Sequence, residues 1–277
     1  MRPWLPESLR LERLTLAIAD LPPYLAGVRL VHLSDFHCDG VRLSPRLLAR
    51  AIALTNELQP DLVVLTGDYV TEEPEPIAVL ATALQGVRSR AGTYAVLGNH
   101  DLLYPRSRAC IAGALQGAGV QVLWNEVAYP LGPGLAVVGL ADYWSPQFAP
   151  AGVMGTVPLR VPRLVLAHNP DSADALTPWR VDLQVSGHSH GGQVVIPGLG
   201  PVVGLVKRGR TWLPQGVARA VPLLWQDWFD VVKDWRRSAG LHTVGNNRLY
   251  INRGLGTYWP GRWFCPPEVT LLCLESR

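Results

Sequence analysis

Four cysteines in 277 residues are few, and their scatter excludes most of what cysteine does in a fold. Cys38, Cys110, Cys265 and Cys273 make no C-x-x-C pair. That argues against a zinc knuckle and a secreted disulfide framework, and the expectation is a reduced, cytoplasmic interior. Long apolar runs are missing too. No stretch approaches the roughly 18 apolar residues of a spanning helix, and Met1 to Arg13 alternates apolar with charged residues where a signal peptide would build its core. Any meeting with a membrane is therefore expected to be peripheral. Charge of one sign is also scarce. Against 22 Asp and Glu stand 25 Lys and Arg, a net +3, too small an excess to call for nucleic acid. Internal repeats and low-complexity tracts are absent as well.

What is present is enough apolar material, 48% of the chain, for one substantial core, and residues 1–277 are expected to form one domain. Val28 to Ser34 reads as a strand that breaks into the polar run Asp35 to Gly40. Ser44 followed by Pro45 opens a helix whose apolar residues include Leu47, Leu48, Ile52, Leu54 and Leu58, and Pro60 closes it. The strand-then-polar-loop pattern recurs four times: Asp61 to Thr66 before Gly67-Asp68, Thr93 to Leu97 before Gly98-Asn99-His100-Asp101, Arg163 to Ala167 before His168, and Asp182 to Val185 before Ser186 to His190. Helical stretches at Pro76 to Val87 and Arg106 to Ala118 complete a βαβ rhythm. Gly/Pro-rich strands are expected after Gly191, and final strands at Arg248 to Asn252 and Val269 to Leu274. In α/β sheets the loops beyond the carboxyl ends of the strands share one crevice, so five polar loops are expected at one site.

Those loops carry Asp35, His37, Asp68, Asn99, His100, His168, His188 and His190. Each is a metal-ligand type, and the mixture of carboxylate, amide and imidazole donors without thiolate suits manganese, iron or zinc. Eight groups exceed the needs of one ion. Two ions roughly 3.5–4 Å apart can share a carboxylate and activate water between them, and Asp68, central in the set, is the natural bridge.

In this order the motifs Asp35-x-His37, Gly67-Asp68, Gly98-Asn99-His100-Asp101, His168 and Gly187-His188-x-His190 resemble those of the calcineurin-like metallophosphoesterases. The resemblance implies a four-layer α/β fold, two mixed β-sheets face to face with helices outside. It implies two divalent ions, manganese first with iron or zinc as alternatives. Asp35, His37, Asp68 and His190 would hold one, and Asp68, Asn99, His168 and His188 the other. It also makes His100 the group that protonates the leaving oxygen or stabilises phosphoryl charge, with Asp101 orienting it.

Other residues carry weaker expectations. His32 lies within the first strand and reads as core. Asp39 and Asn169 are placed to orient ligands, Asp171 to cap a helix, and Arg253 and Arg262, flanking Gly254-Leu255-Gly256, to grip a phosphate or face solvent. No role is expected for His242. The runs Gly187 to Gln193, Pro197 to Gly200, Asn252 to Gly256 and Cys265 to Glu268 resemble a bacterial branch of membrane-associated phosphodiesterases. Some of that branch cleave the pyrophosphate of UDP-2,3-diacylglucosamine in lipid A synthesis. Members often carry an N-terminal membrane helix, and this sequence shows none. Three functions compete: a lipid-linked pyrophosphatase, a soluble phosphodiesterase or phosphatase on nucleotides or proteins, and a non-catalytic metal scaffold. A Trp-rich insert at about 217–242 bears on the first. Val221, Leu224, Trp225, Trp228, Val232 and Trp235 recur at helical spacing, and the stripe is expected either on a membrane surface, helped by Lys207, Arg208, Arg210 and Arg219, or on the protein's own core.

Overall fold

The computed structural model describes residues 8–210 and 230–277. Fourteen strands appear among them. The first seven are β1 (Arg10–Ile18), β2 (Val28–Leu33), β3 (Leu62–Leu65), β4 (Thr93–Ala95), β5 (Val120–Val122), β6 (Glu126–Ala128) and β7 (Ala136–Gly139). They are followed by β8 (Arg163–Leu166), β9 (Leu183–Ser186), β10 (Val195–Ile196), β11 (Gly200–Pro201), β12 (Gly240–Val244), β13 (Asn247–Ile251) and β14 (Glu268–Ser276). One six-stranded sheet runs β1-β14-β2-β3-β4-β5, the other β12-β13-β9-β8-β7-β6, and β10 and β11 make a small hairpin. Both large sheets are mixed. β14 is antiparallel to β2 but parallel to β1, and β6 and β12 run antiparallel to their neighbours β7 and β13.

Side-chain alternation builds the layers, because successive residues of a strand point to opposite faces. Leu30, Leu62 and Val64 meet Val137, Leu164, Leu166, Leu183 and Val185 between the sheets. Val31, Leu33, Val63 and Leu65 face the other way, onto helices α1 (Pro45–Glu57), α2 (Ile77–Leu84) and α3 (Ser107–Gly117). The second sheet turns Ala136, Val138 and Val165 outward, where Val153 and Met154 of α4 (Pro150–Met154) cover them. The result is the expected four-layer arrangement. Helix α1 begins as read, with Pro45 in its first turn and the Ser44 hydroxyl accepting the Leu47 N–H at 3.1 Å. Its innermost side chains are Leu47, Leu48, Ala51 and Thr55.

A buried polar network ties the sheets where β13 and β14 meet. Tyr250 donates to Glu268 at 2.6 Å, Asn252 donates to Thr270 at 2.8 Å and to the His32 carbonyl at 3.3 Å, and Arg253 Nε donates to Glu268 at 2.6 Å. Glu12 of β1 takes the other end of the Arg253 guanidinium. Arg253 is thus committed to carboxylates and is not available to grip a phosphate.

After β11, a short α5 (Ser172–Ala175) having come earlier, the chain forms α6 (Val202–Arg210). Most of the Trp-rich stripe, residues 221–229, lies outside the described residues. Its described end is not α-helical: 231–233 are bends and Trp235–Arg237 a single 3-10 turn. Val232 and Trp235 pack on Val203 of α6, so these two belong to the protein's own core. Among the described residues no helix is long and apolar enough to cross a membrane.

Arg253→Met should cost about 3 kcal/mol of unfolding free energy in urea titrations, because Glu268 is left buried without its cation. Wild-type stability combined with weakened phosphate binding would return Arg253 to the role expected from the sequence.

Candidate metal centre

The loops after β2, β3, β4, β8 and β9 converge, and the two sheets bring together every donor read from the sequence. Asp35, His37 and His190 form one buried group, and Asp68, His168 and His188 a second, each with donor atoms within 4.8 Å of one another. In the first, His37 Nε2 lies 3.0 Å from His190 Nε2, which is 3.4 Å from Asp35 Oδ1. In the second, His168 Nε2 lies 3.0 Å from His188 Nδ1, 3.1 Å from Asn99 Oδ1 and 3.2 Å from Asp68 Oδ2. The same Asp68 oxygen is 3.6 Å from His37 Nε2, so this carboxylate stands between the groups.

Local backbone makes the convergence. Asp35, His37, Asp68, His188 and His190 all have φ between 45° and 68°, a left-handed conformation that side-chain-bearing residues adopt at a cost. It turns each ligand sharply off its strand end. Two glycines give the necessary room: a Cβ on Gly98 would strike the Asp68 carboxylate, and one on Gly187 the Ser34 hydroxyl and the Asp35 carboxylate. Backbone hydrogen bonds then lock loop to loop. Asp35 N–H donates to the Gly67 carbonyl at 3.0 Å, His37 N–H to that of Asp68 at 2.9 Å, and Gly187 N–H to that of His168 at 3.0 Å.

The far nitrogen has an oxygen partner in three of the four imidazoles. His168 Nδ1 donates to the Thr66 carbonyl at 2.6 Å and His188 Nε2 to that of Val231 at 3.0 Å. His37 Nδ1 lies 3.2 Å from the Tyr258 hydroxyl and 3.4 Å from that of Thr71. A carbonyl partner can only accept, so it fixes the far-nitrogen proton and turns the other nitrogen toward the site. Burial pushes His37 and His188 down to about 3 and His190 well below its ordinary value, which keeps them neutral, the metal-binding form. Burial likewise raises Asp35 to about 6. Burial opposes charge on Asp68 and His168 as well, yet their mutual attraction wins, holding Asp68 well below and His168 up at about 10. Inward lone pairs 3.0 Å apart repel unless a cation lies among them, and the nitrogen and oxygen donors fit two divalent ions. A buried thiol, Cys265, points instead at the carbonyls of His190 and Gly191.

Several expectations about neighbouring residues change. Asp101 does not touch the His100 ring. Its carboxylate accepts the backbone N–H groups of Asp68 and Gly98 at 2.8 Å and of Tyr69 at 2.9 Å, binding two loops together. Burial and the Asp68 charge push it up to about 8 against the pull of those amides. The His100 ring is held by the Thr71 carbonyl, 2.5 Å from Nδ1, while the His100 N–H donates to Asp68 Oδ1 at 3.0 Å. Arg262 is also internal, its guanidinium donating to the carbonyls of Arg253 and Gly256 at 2.7 and 2.6 Å. Asp171 makes no side-chain cap and accepts the Lys233 N–H at 2.9 Å. Asn169 orders its own loop by accepting the Asp171 N–H at 2.9 Å.

Three residues at the site escape a reading of strand ends. Thr71 and Tyr258 reach it through hydroxyls. Asp142, 2% exposed, follows β7 as a sixth polar strand end; its Oδ1 accepts the Trp144 N–H at 2.9 Å and its Oδ2 has no hydrogen-bond partner among the described residues. The Trp144 ring meets His188 edge to face with centroids 4.7 Å apart. A concavity of about 830 Å³ lies at the opposite strand ends, lined by Asp20, Trp179, Arg180 and Arg248. Arg180 there is paired with Asp20 and Asp182, and donor chemistry places the site at the metal-ligand loops instead.

His32 is core, as expected, with Nε2 2.8 Å from the Thr66 hydroxyl. Burial holds it down to about 3 against the ordinary 6.5. The unfolded chain takes up a proton there as pH falls below 6.5, the folded chain only near 3, so acidification through that window destabilises the fold. His32→Leu should make urea-measured stability fall less steeply between those values, by up to about 1.4 kcal/mol per pH unit. An unchanged slope would show that His32 is not held neutral.

Comparison with known proteins follows the same residues. The sequence profile of the calcineurin-like phosphoesterases matches residues 28–192. The chain is 33% identical over 254 residues to the phosphodiesterase YaeI of Escherichia coli (strain K12), covering 89% of this chain and 82% of that protein. It is 25% identical over 279 residues to the uncharacterized metallophosphoesterase YkuE of Bacillus subtilis (strain 168), covering 98% and 87%. With the UDP-2,3-diacylglucosamine pyrophosphatase LpxG of Chlamydia muridarum (strain MoPn / Nigg) it shares 26% over 318 residues, covering 97% and 90%. The profile match begins with β2, ends just past His190 and contains every donor of both groups; the chain belongs to the calcineurin-like phosphoesterase family and is a metal-dependent phosphoester hydrolase.

Proposed function

We propose that the protein hydrolyses a phosphodiester or pyrophosphate bond at a dinuclear centre, on a lipid-linked substrate of the UDP-2,3-diacylglucosamine kind. The observation that carries the dinuclear reading is Asp68, whose Oδ2 lies 3.6 Å from His37 Nε2 and 3.2 Å from His168 Nε2. Asp35, His37, Asp68 and His190 would hold one ion and Asp68, Asn99, His168 and His188 the other, with manganese first and iron or zinc as alternatives. When bound, two such ions supply Lewis acidity and make water reactive at neutral pH. The protein does the rest. Asp68 spaces the two groups and, through Oδ1, fixes the backbone of His100. His100 holds its Nδ1 proton on the Thr71 carbonyl, which leaves Nε2 to pass a proton to the leaving oxygen.

The lipid-linked substrate is supported by the similarity to the Chlamydia pyrophosphatase along 97% of this chain. Similarity to the Escherichia coli phosphodiesterase favours phosphodiester hydrolysis, which leaves a second reading, a phosphodiesterase or phosphatase acting on nucleotides or phosphoproteins. A scaffold without catalysis is disfavoured because every ligand position is filled. Purified protein with manganese, given bis-(p-nitrophenyl) phosphate, p-nitrophenyl phosphate and a UDP-linked diacyl sugar, distinguishes them. The first reading requires the acyl sugar to turn over fastest by kcat/KM, and a faster diester with no attack on the acyl sugar rejects it.

Asp68→Ala should abolish turnover and lower metal occupancy, since two cations then lose the anion between them; retained activity at full metal content sinks the dinuclear reading. His100→Ala should keep its metals and lose roughly 10²–10⁴-fold in rate. The loss should be smaller for a p-nitrophenolate leaving group than for an alkoxide, and equal losses would remove His100 as the acid.

A further inference from the structure

Thr71, three residues beyond Asp68 and 2% exposed, uses both of its polar groups at the site, and the chemistry above needs only one of them. Its carbonyl takes the His100 Nδ1 proton. Its hydroxyl donates to Asp39 Oδ2 at 2.9 Å and lies 3.4 Å from His37 Nδ1. Asp39 is firmly placed: Oδ1 accepts the N–H groups of Val41 and Arg42 at 2.7 and 2.8 Å, and the Arg42 guanidinium pairs with Oδ2. With the hydroxyl proton committed to that carboxylate, a lone pair of Thr71 Oγ1 faces His37. His37 must then carry its proton on Nδ1, which frees Nε2 for the first metal group.

We propose that Thr71 is a positioning residue that couples the first metal group to His100, setting one ring through its hydroxyl and the other through its carbonyl, with Asp39 as the hydroxyl's anchor. The relay Asp39–Thr71–His37 places a hydroxyl where metal-bound histidines commonly meet a carboxylate or carbonyl directly. Since the loop that supplies Asp68 also supplies Thr71, one short segment fixes the central carboxylate, a ligand ring and the acid. Tyr258 is the competing partner, its hydroxyl 3.2 Å from the same His37 nitrogen. Among the described residues no carboxylate hydrogen bond directs its proton, so it can donate to a bare Nδ1 or accept from Nδ1–H and cannot select the tautomer. The proposal rests on the dinuclear reading.

The experiment compares wild type, Thr71→Val, Thr71→Ser, Asp39→Ala and Tyr258→Phe. Each is equilibrated with Mn²⁺ or Co²⁺ and read by metal-to-protein ratio, Co²⁺ absorption spectrum, kcat and KM on bis-(p-nitrophenyl) phosphate, and circular dichroism. Valine keeps the shape and the carbonyl of threonine and removes only the hydroxyl. Thr71→Val should bind one of its two ions about 10–100-fold more weakly, with an altered Co²⁺ spectrum and a lower kcat at little-changed KM. Thr71→Ser should restore both properties. Asp39→Ala, which frees the hydroxyl proton, should move metal affinity in the same direction and serves if Thr71→Val fails to fold. Wild-type metal affinity in Thr71→Val, failure of serine to rescue, or the same loss appearing only in Tyr258→Phe overturns the proposal while leaving two-metal hydrolysis standing. A wild type that binds fewer than two ions overturns the dinuclear reading, and the coupling with it.

Discussion

Two imidazole nitrogens facing each other at 3.0 Å, His37 Nε2 and His190 Nε2, repel while both carry lone pairs, and a second close pair in His168 and His188 sits beside the Asp68 carboxylate. Buried away from water, such atoms are costly unless positive charge satisfies them. The fold must therefore hold the donors together against their own preference. The strain of five left-handed ligand residues, the glycines at 98 and 187 and the amide-collecting Asp101 all serve that end. Asp101 is the clearest case, because its carboxylate organises backbone from two loops and leaves the reacting groups to others.

The requirement also explains why two sheets are needed. Sheet one supplies Asp35, His37, Asp68 and Asn99 from β2, β3 and β4; sheet two supplies His168, His188 and His190 from β8 and β9. Neither sheet alone completes either group, since His190 joins Asp35 and His37 while Asp68 joins His168 and His188. Packing of Leu30, Leu62 and Val64 against Leu164, Leu166 and Val185 thus sets the register of the chemistry. Errors in that apolar seam would be read out as misplaced ligands, because a close-packed interior transmits displacement instead of absorbing it.

The strands that deliver ligands were legible because each is an apolar run ending in a polar loop, a pattern that survives without any neighbour. β1 was not, since its RLERLTLAI alternation is that of an edge strand and needs β14 beside it to pair. β5 and β6 are three residues each, too short for a period to show. At the site, ligand identity follows from residue type and order. The supporting contacts do not, because they depend on which oxygen faces which nitrogen. Asp101 beside His100 in sequence looks like its orienting partner, yet the turn carries its carboxylate to the backbone of the Asp68 loop. Arg253 and Arg262, flanking Gly254-Leu255-Gly256, read as phosphate donors or solvent-facing residues, and only the folded contacts show that Glu268, Glu12 and backbone carbonyls already occupy them.

The donor loops and the aromatic residues around them differ in how tightly the backbone holds them. Hydrolysis is set by strand-end loops between Asp35 and His190, all locked by short hydrogen bonds to backbone. Aromatic side chains border those loops: half-exposed Trp144 meets His188, Tyr258 meets His37, and exposed Trp259, Trp263 and Phe264 lie in the loop that pairs with Val194 and Val195. Of these, Tyr258 holds the His37 ring through its hydroxyl at 3.2 Å and Trp144 meets the His188 ring, so both are tied to the ligands. Hydrogen bonds tie the aromatic loop to the ligand loops, among them Tyr258 N–H to Gln193 Oε1 at 2.7 Å and Arg262 Nη1 to the His190 carbonyl at 3.3 Å. Aromatic contacts thus reach a ring of each donor group, His37 of the first through Tyr258 and His188 of the second through Trp144, so a change at either aromatic bears on a ligand of its own group.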